Sequence, residues 1–416
     1  MPLCVELPAP SQLNADGGWS DAPPSRRHSM SSNQNKGIVG YSRPTGDTDC
    51  AHEFVFEVAD IDMPEPGGDE VLVKVEAAPI HPSDLGRMQA GGLTVAKASE
   101  QQTRQDSPTR LVTPFSEGLF QKDCMLQSTT PTVYGNEGCG IVVAAGSEAQ
   151  GLMGKRVCFL SGKTYSLFSK VAAKSCIPLP PDVTAELGAA AFVNPQTAVG
   201  FVQTMRAENH SAIVHTAAAS TLGQMLVKYC ASESVPLVNI VRRDEQVAQL
   251  KAIGAVHVVN SSSESFERDL IDAINATGAT LAFDATGGGD LAEKILKAME
   301  IALTENAPPQ TYGSTTHKQL YLYGALQSGL TTLSRSYGMA WGVGGWLMPN
   351  WYASGKGDRV AAVKAFMKGI DTTFKTEYAQ KISLDEAVTL AVVQDYAKQA
   401  TGFKYLITPN AAHAGQ

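Results

Sequence analysis

The 416-residue sequence has no CxxC pair, no excess of basic residues and no long apolar run, and each absence narrows what the chain can be. Its seven cysteines (Cys4, Cys50, Cys124, Cys139, Cys158, Cys176 and Cys230) are odd in number and widely spaced. That pattern argues against a disulfide frame or a zinc knuckle and for reduced thiols in a cytoplasmic protein. No stretch approaches the roughly 18 apolar residues needed to span a bilayer, so no membrane partner is expected. The net charge of −8 gives no long-range attraction to nucleic acid, and an anionic ligand would need a local basic pocket. Residues 1–35 lack a hydrophobic signal core and are rich in Pro, Ser, Gly, Asn and Asp, the composition of a disordered tail. Arg26-Arg27-His28-Ser29 hints at a targeting peptide, but Glu6, Asp16 and Asp21 are foreign to an acid-poor transit sequence. Cytoplasmic residence is therefore expected, with organelle import the weaker alternative.

What is present is enough chain for two domains. Residues 53–80 alternate apolar and polar (Phe54, Phe56, Val58; Val71, Val73, Val75) around a Pro-Gly-Gly turn, and further short strands at 139–145, 156–160 and 166–172 make 36–185 a mostly β domain. From 186 to 327 the rhythm changes to apolar runs at 213–215, 237–241, 256–259, 281–283 and 320–324, with helix-like segments between them. This is repeated β-α-β, hence a doubly wound parallel sheet of the Rossmann kind in an α/β protein. Residues 328–416 contain helical stretches at 358–374 and 383–399 and a closing strand at 403–407 that is expected to return to the first domain. The polar segment 91–131 fits neither rhythm and reads as an insertion, a lid or a dimer contact.

After the 213–215 strand comes Ala217-Ala-Ala-Ser220-Thr221-Leu222-Gly223 and then a helix. A helix N-terminus with unpaired N–H groups and small residues before it is where a dinucleotide pyrophosphate sits, and GxGxxG spacing survives here as A-x-x-S-x-x-G. Alone this turn is equally well packing. About 20 residues on, where an NAD site places an acid for the ribose hydroxyls, the chain reads Val241-Arg242-Arg243. Two guanidiniums there suit a 2′-phosphate, so NADPH is favoured over NADH, while Asp244 keeps NADH open.

Taken together these motifs resemble the medium-chain dehydrogenase/reductase superfamily over 36–410. Tyr134-Gly-Asn-Glu-Gly-Cys-Gly-Ile-Val-Val-Ala-Ala-Gly146 is similar to its G-H-E-x-x-G-x-V stretch, and Val73 to Leu85, ending His81-Pro-Ser-Asp-Leu85, to its first active-site strand. The resemblance implies a GroES-like fold for the β domain and cofactor contacts from Asp284, Tyr323, Gly324 and Lys404. It also implies a homodimer. Zinc members carry a histidine and a cysteine where this chain has Asn136 and His81, and the cysteine cluster of a structural zinc lobe is missing, so no metal is expected.

Within the superfamily the chain looks most like the zinc-free quinone reductases and the mitochondrial type of 2-enoyl thioester reductase. Asn194, Thr197 and their neighbours resemble the enoyl reductase segment at the nicotinamide, and Trp346 and Trp351 its aromatic pocket wall. The tyrosine those enzymes carry after Pro-Ser-Asp is absent from Leu85–Leu93, leaving Tyr41, Tyr134, the 91–131 insertion or water as proton source. The expected reaction is hydride transfer to an activated C=C bond of an enal, enone or enoyl thioester. Asn136, Asn194, Thr197 and His81 are candidate donors to the developing oxyanion, and Tyr134 is a candidate acid. NADPH:quinone reduction and a non-enzymatic NADPH-binding role are the alternatives.

Overall fold

The computed structural model describes residues 34–48, 51–88, 104–107, 110–122, 126–308, 310–327, 329–398 and 404–411. The expected tail therefore lies almost wholly outside the described residues, as do Cys4, Cys50 and Cys124. The other four cysteines are free thiols.

The alternating first part folds into two largely antiparallel sheets. In one, Asn35–Pro44 pairs with His52–Ile61, which pairs in turn with Arg110–Phe115. In the other, Glu70–Pro79 is central, flanked by Glu137–Ala145 and Phe168–Ala172. Val71, Val73 and Val75 are fully buried, as period 2 requires for one face of a strand packed on a core. Tyr405–Ile407 closes this sheet by pairing Leu406 with Pro79 and Ile407 with Ala78, the return expected from sequence.

Part of the 91–131 segment corrects the expectation of an insertion without rhythm. Arg110–Phe115 is an internal strand with Leu111, Val112 and Phe115 buried. Proline removes a ladder donor, but Pro114 lies opposite Glu53 and the pairing continues on both sides. Residues 89–103, 108–109 and 123–125 are outside the described residues.

The β-α-β part forms a six-strand parallel sheet in the order 257–260, 237–241, 213–215, 281–284, 318–322, 341–345. This is the 3-2-1-4-5-6 order of a dinucleotide-binding sheet. It runs past the expected end at 327, since Trp341–Gly345 adds a sixth strand beside Lys318–Leu322. The helix Val193–Ala207 is also new: eleven of its fifteen residues are buried, so it has no polar stripe to announce it. It packs on the helix Thr221–Ser232 and brings the parallel sheet against the β part within the compact unit Gln34–Gln416. The expected 383–399 helix is two short ones, Leu384–Ala387 with a Ser383/Glu386 capping box and Leu390–Tyr396.

Candidate active site

The sheet grows in opposite directions from the adjacent strands Ile213–His215 and Leu281–Asp284, so their carboxyl ends flank its switch point. Ala217 there holds φ +50°, a left-handed conformation that lets the chain turn sharply into the helix Thr221–Ser232. Ser220 caps that helix, its Oγ accepting from the Gly223 amide at 3.1 Å, while the Thr221 and Leu222 amides take no partner among the described residues. A Cβ on Gly223 would stand 2.1 Å from the Ala218 carbonyl, so only glycine lets the helix begin this close to the turn. These are the features of a phosphate cradle.

Arg242 and Arg243 follow the neighbouring strand Leu237–Val241; both are exposed, and neither guanidinium pairs with an acid among the described residues. Asp244 beside them is also exposed, and its Oδ1 accepts from Asn260 Nδ2 at 2.8 Å.

Two expected cofactor contacts are corrected. Asp284 is 1% exposed and braces the turn: its carboxylate accepts from Thr216 Oγ1 at 2.6 Å, from the Thr286 amide at 2.8 Å and from the Gly287 amide at 3.2 Å. Tyr323 turns its hydroxyl away to His215 Nε2 at 2.7 Å, where burial pushes the imidazole down to about 3 and keeps it neutral. Gly324 stays at the strand end, and a Cβ there would meet the Ala285 carbonyl at 2.6 Å, so its role is close packing of the two loops.

A second polar cluster gathers around His81. The helix Pro82–Met88 begins at once after it, and Asp84 bends back to accept from the His81 amide at 3.0 Å and, through its other oxygen, from the Asn136 amide at 2.8 Å. Burial raises the Asp84 carboxyl above its usual range, and His81, with these amides, works against that rise. His81 Nε2 stands 2.6 Å from Glu137 Oε1, and Nδ1 stands 3.1 Å from Lys404 Nζ. An ammonium can only donate, so Nδ1 accepts and Nε2 carries the hydrogen facing the carboxylate. Glu137, fully buried, reaches with its other oxygen to the Phe192 amide at 2.6 Å. That bond fixes the start of the helix Val193–Ala207, one turn of which carries Asn194 and Thr197.

Of the candidate oxyanion donors, His81 is 1% exposed: Nδ1 meets Lys404 Nζ, and Nε2 lies against Glu137 Oε1 without hydrogen-bond geometry. Asn136 is held by Ser83 Oγ (3.0 Å) and by Arg87 (3.3 Å) and remains partly exposed. Asn194 and Thr197, 8% and 7% exposed, have side chains without a hydrogen bond among the described residues. Tyr134 packs its ring in the β core under the Arg87 guanidinium, with its hydroxyl beside Gly40 and without a hydrogen bond among the described residues. Burial pushes the phenol up to about 12. Tyr41 is engaged with Glu57 at 3.0 Å.

Trp346 and Trp351 belong to the aromatic core beneath the helix Val193–Ala207: Trp346 donates to Thr204 Oγ1 at 3.0 Å and crosses Phe201 edge to face. They also wall an open groove of about 680 Å³ with Tyr321, Tyr323 and Gly324. Sequence reading named neither Asp84 nor Glu137 as site residues, although both stand inside the motifs it quoted. Among the described residues no three His, Cys, Asp or Glu side chains converge on one point.

No family model matches the chain. An NADPH:quinone reductase assignment from Mesorhizobium loti has a solved structure that superposes with a TM-score of 0.67 at 26% identity, covering 92% of this chain and all of that one. The chain is similar to reductases of the medium-chain dehydrogenase/reductase superfamily. Its relatives are named as oxidoreductases, and its two parts are the Rossmann and GroES-like folds of that superfamily. A mitochondrial enoyl-[acyl-carrier-protein] reductase of Caenorhabditis elegans is 24% identical over 64% of this chain and 68% of its own length. The enzyme of that name from Bos taurus is 28% identical over 49% of this chain, and only 48% of its length is matched. An enoyl thioester reductase of Candida tropicalis shares the fold, with a TM-score of 0.58 at 19% identity, covering 90% of this chain and 99% of that one.

Proposed function

We propose that this medium-chain reductase uses NADPH to reduce a carbon–carbon double bond conjugated to a carbonyl group, in an enal, enone or enoyl thioester, without a metal. The observation that carries the proposal is the pair of nearly buried, uncommitted side chains Asn194 and Thr197 on a helix anchored by Glu137. A mostly enclosed amide or hydroxyl that keeps an open, uncommitted polar atom is placed to bond a ligand that displaces water from it.

The cradle Ala217–Gly223 fits the pyrophosphate, and the free guanidiniums of Arg242 and Arg243 fit a 2′-phosphate. Bound there, the dinucleotide supplies a hydride for the β-carbon of the alkene. Asn194, Thr197 and the second Nδ2 hydrogen of Asn136 then donate to the carbonyl oxygen as charge builds on it. Removing one such donor costs on the order of 100-fold in rate. His81 faces an ammonium rather than open space, and Asn136 is an amide, so this pair does not make the donor set of a catalytic zinc.

Quinone reduction is the second reading, favoured by the likeness to the Mesorhizobium loti structure. One assay separates them: oxidation of NADPH and NADH by purified protein with a panel of enals, enones, enoyl thioesters and quinones. Saturated product from the enoyl or enone members supports the proposal, and turnover of quinones alone replaces it with the second reading. NADPH binding without any turnover replaces both with a binding protein. A homodimer is part of the proposal. The edge strand Trp341–Gly345 and the exposed Leu330 and Met339 beside it suit pairing with a second copy, which light scattering measures.

A further inference from the structure

The tyrosine position that follows Pro-Ser-Asp in related reductases lies among residues without one here, Tyr41 is bonded to Glu57, and burial pushes the Tyr134 phenol up to about 12, a weak acid for this reaction. The reaction proposed above still needs a proton. Hydride addition at the β-carbon pushes the C=C electron pair onto the α-carbon and carbonyl oxygen, and the α-carbon must then form a new C–H bond.

We propose that Lys404 is the catalytic acid that protonates the α-carbon, and that His81 and Glu137 are positioning residues that hold it for this task. In the step an Nζ–H bond breaks, its hydrogen forms the C–H bond at the α-carbon, and its electron pair stays on nitrogen, leaving a neutral amine that solvent reprotonates. This deepens the reductase reading and rests on it.

Geometry supports the assignment at three points. Lys404 spends one of its three N–H donors on His81 Nδ1 at 3.1 Å, and no other partner holds Nζ among the described residues. His81 cannot turn away, because its ring is trapped between Nζ and Glu137 Oε1 and its amide is fixed by Asp84. Glu137 in turn grips the Phe192 amide, so the chain of contacts leads from Lys404 to the first turn of the helix that presents Asn194 and Thr197. That chain ties the ammonium to the helix that carries the two uncommitted donors. Burial also draws the ammonium down to about 8, with Glu137 and Asp84 holding it from falling further, and an acid near the working pH transfers its proton most effectively.

The competing role for Lys404 is a cofactor anchor, and two substitutions separate the roles. Lys404→Met removes proton and charge; Lys404→Arg keeps the charge but cannot give up a proton. Three quantities are read for each: NADPH Kd by fluorescence titration without substrate, kcat at saturating NADPH, and the stereochemistry of α-deuteration when a 2-methyl-2-enoyl thioester is reduced in D2O. The expected result is an NADPH Kd within about threefold of the parent for both variants, a kcat lower by on the order of 100-fold for both, and loss of the single α-configuration. His81→Leu should lose the same facial selectivity, and His81→Gln, which keeps an acceptor for Nζ, should regain part of it. Recovery of kcat and selectivity in Lys404→Arg, or a Kd that weakens as much as kcat/KM in Lys404→Met, overturns the acid and leaves an anchor. A parent protein that turns over no activated alkene, yet binds NADPH, instead overturns the reductase reading and the acid with it.

Discussion

Arg242 and Arg243 stand exposed and unpaired at the end of one strand, whereas His81, Asp84 and Glu137 are 1%, 1% and 0% exposed and are tied to one another, to Lys404 and to two backbone amides. The first region is built by local chain alone: a strand ends, and the next two residues are free to meet whatever arrives. The second is drawn from residues 81–84, 136–137, 192 and 404, and most of its polar atoms meet one another inside the protein. An exposed pair acts through what it binds and contributes little to the fold. A buried network does both, so a change in it is felt first as stability.

The largest expected effect follows from that contrast. Glu137→Ala leaves the Phe192 amide without its acceptor and His81 Nε2 facing a void, with nothing to replace either. Leaving a buried donor without its acceptor costs about 1–3 kcal/mol, and two donors are left so here. Urea unfolding should show a loss of that size, while the same substitution at Glu245, exposed on the helix Asp244–Ala252, should change stability little. A loss under about 1 kcal/mol at Glu137 would erase the distinction between the two regions.

At the other region the expectation reverses. Replacing Arg242 and Arg243 together by Ala should leave the unfolding midpoint unchanged and weaken NADPH. Hydrogen bonds to charged groups contribute about 1.5–3 kcal/mol each, so the Kd should rise on the order of 30-fold or more. NADH, which lacks the 2′-phosphate, should be nearly indifferent. Equal losses for both dinucleotides would move the phosphate contact elsewhere.

How much of each region could be read in the sequence follows from the same difference. The Rossmann turn and its arginines are contiguous with the strands that place them, so spacing alone located them. Glu137 and Asp84 lie in the Gly-Asn-Glu-Gly and Pro-Ser-Asp motifs, but the Phe192 and Asn136 amides they hold are 55 and 52 residues away, and nothing local says that Lys404 ends against His81, 323 residues from it. Asp284 shows the reverse failure: an acid at a strand end invites a ligand role, yet Thr216 and two amides consume it. The helix Val193–Ala207 was invisible because a helix buried on all sides lacks the 3.6-residue polar stripe. Trp346 and Trp351 were visible as aromatics, but only packing shows that most of their surface serves the core.

A smaller effect sharpens the contrast through pH. The Lys404 ammonium is drawn down to about 8 by burial, with Glu137 and Asp84 opposing, from an ordinary value near 10.5. Between those values the unfolded chain binds the proton and the folded chain does not, so stability rises with pH across that window, and the cost of holding the charged form is fully present below about 8. His81, Asp84 and Glu137 are the polar groups that face this ammonium. The difference between the parent and Lys404→Met in unfolding free energy should therefore change by on the order of 2 kcal/mol from pH 7.5 to 10. A flat difference would mean that Nζ is solvated and that the network stops at His81.

The smallest effect tests whether the exposed region has any structural share at all. Ser220 accepts from the Gly223 amide at 3.1 Å and so caps the helix Thr221–Ser232. Ser220→Ala removes that acceptor, and cap loss of this kind costs about 1 kcal/mol. The same change frees the Gly223 amide, which then joins Thr221 and Leu222 in facing a phosphate. Stability should fall by about 1 kcal/mol without ligand and recover when NADPH is saturating, since a ligand bound only to the folded state adds its own stabilisation. If the deficit persists unchanged under saturating NADPH, the bound phosphate does not reach the first turn of this helix, and the cradle must be sought nearer Arg242 and Arg243 alone.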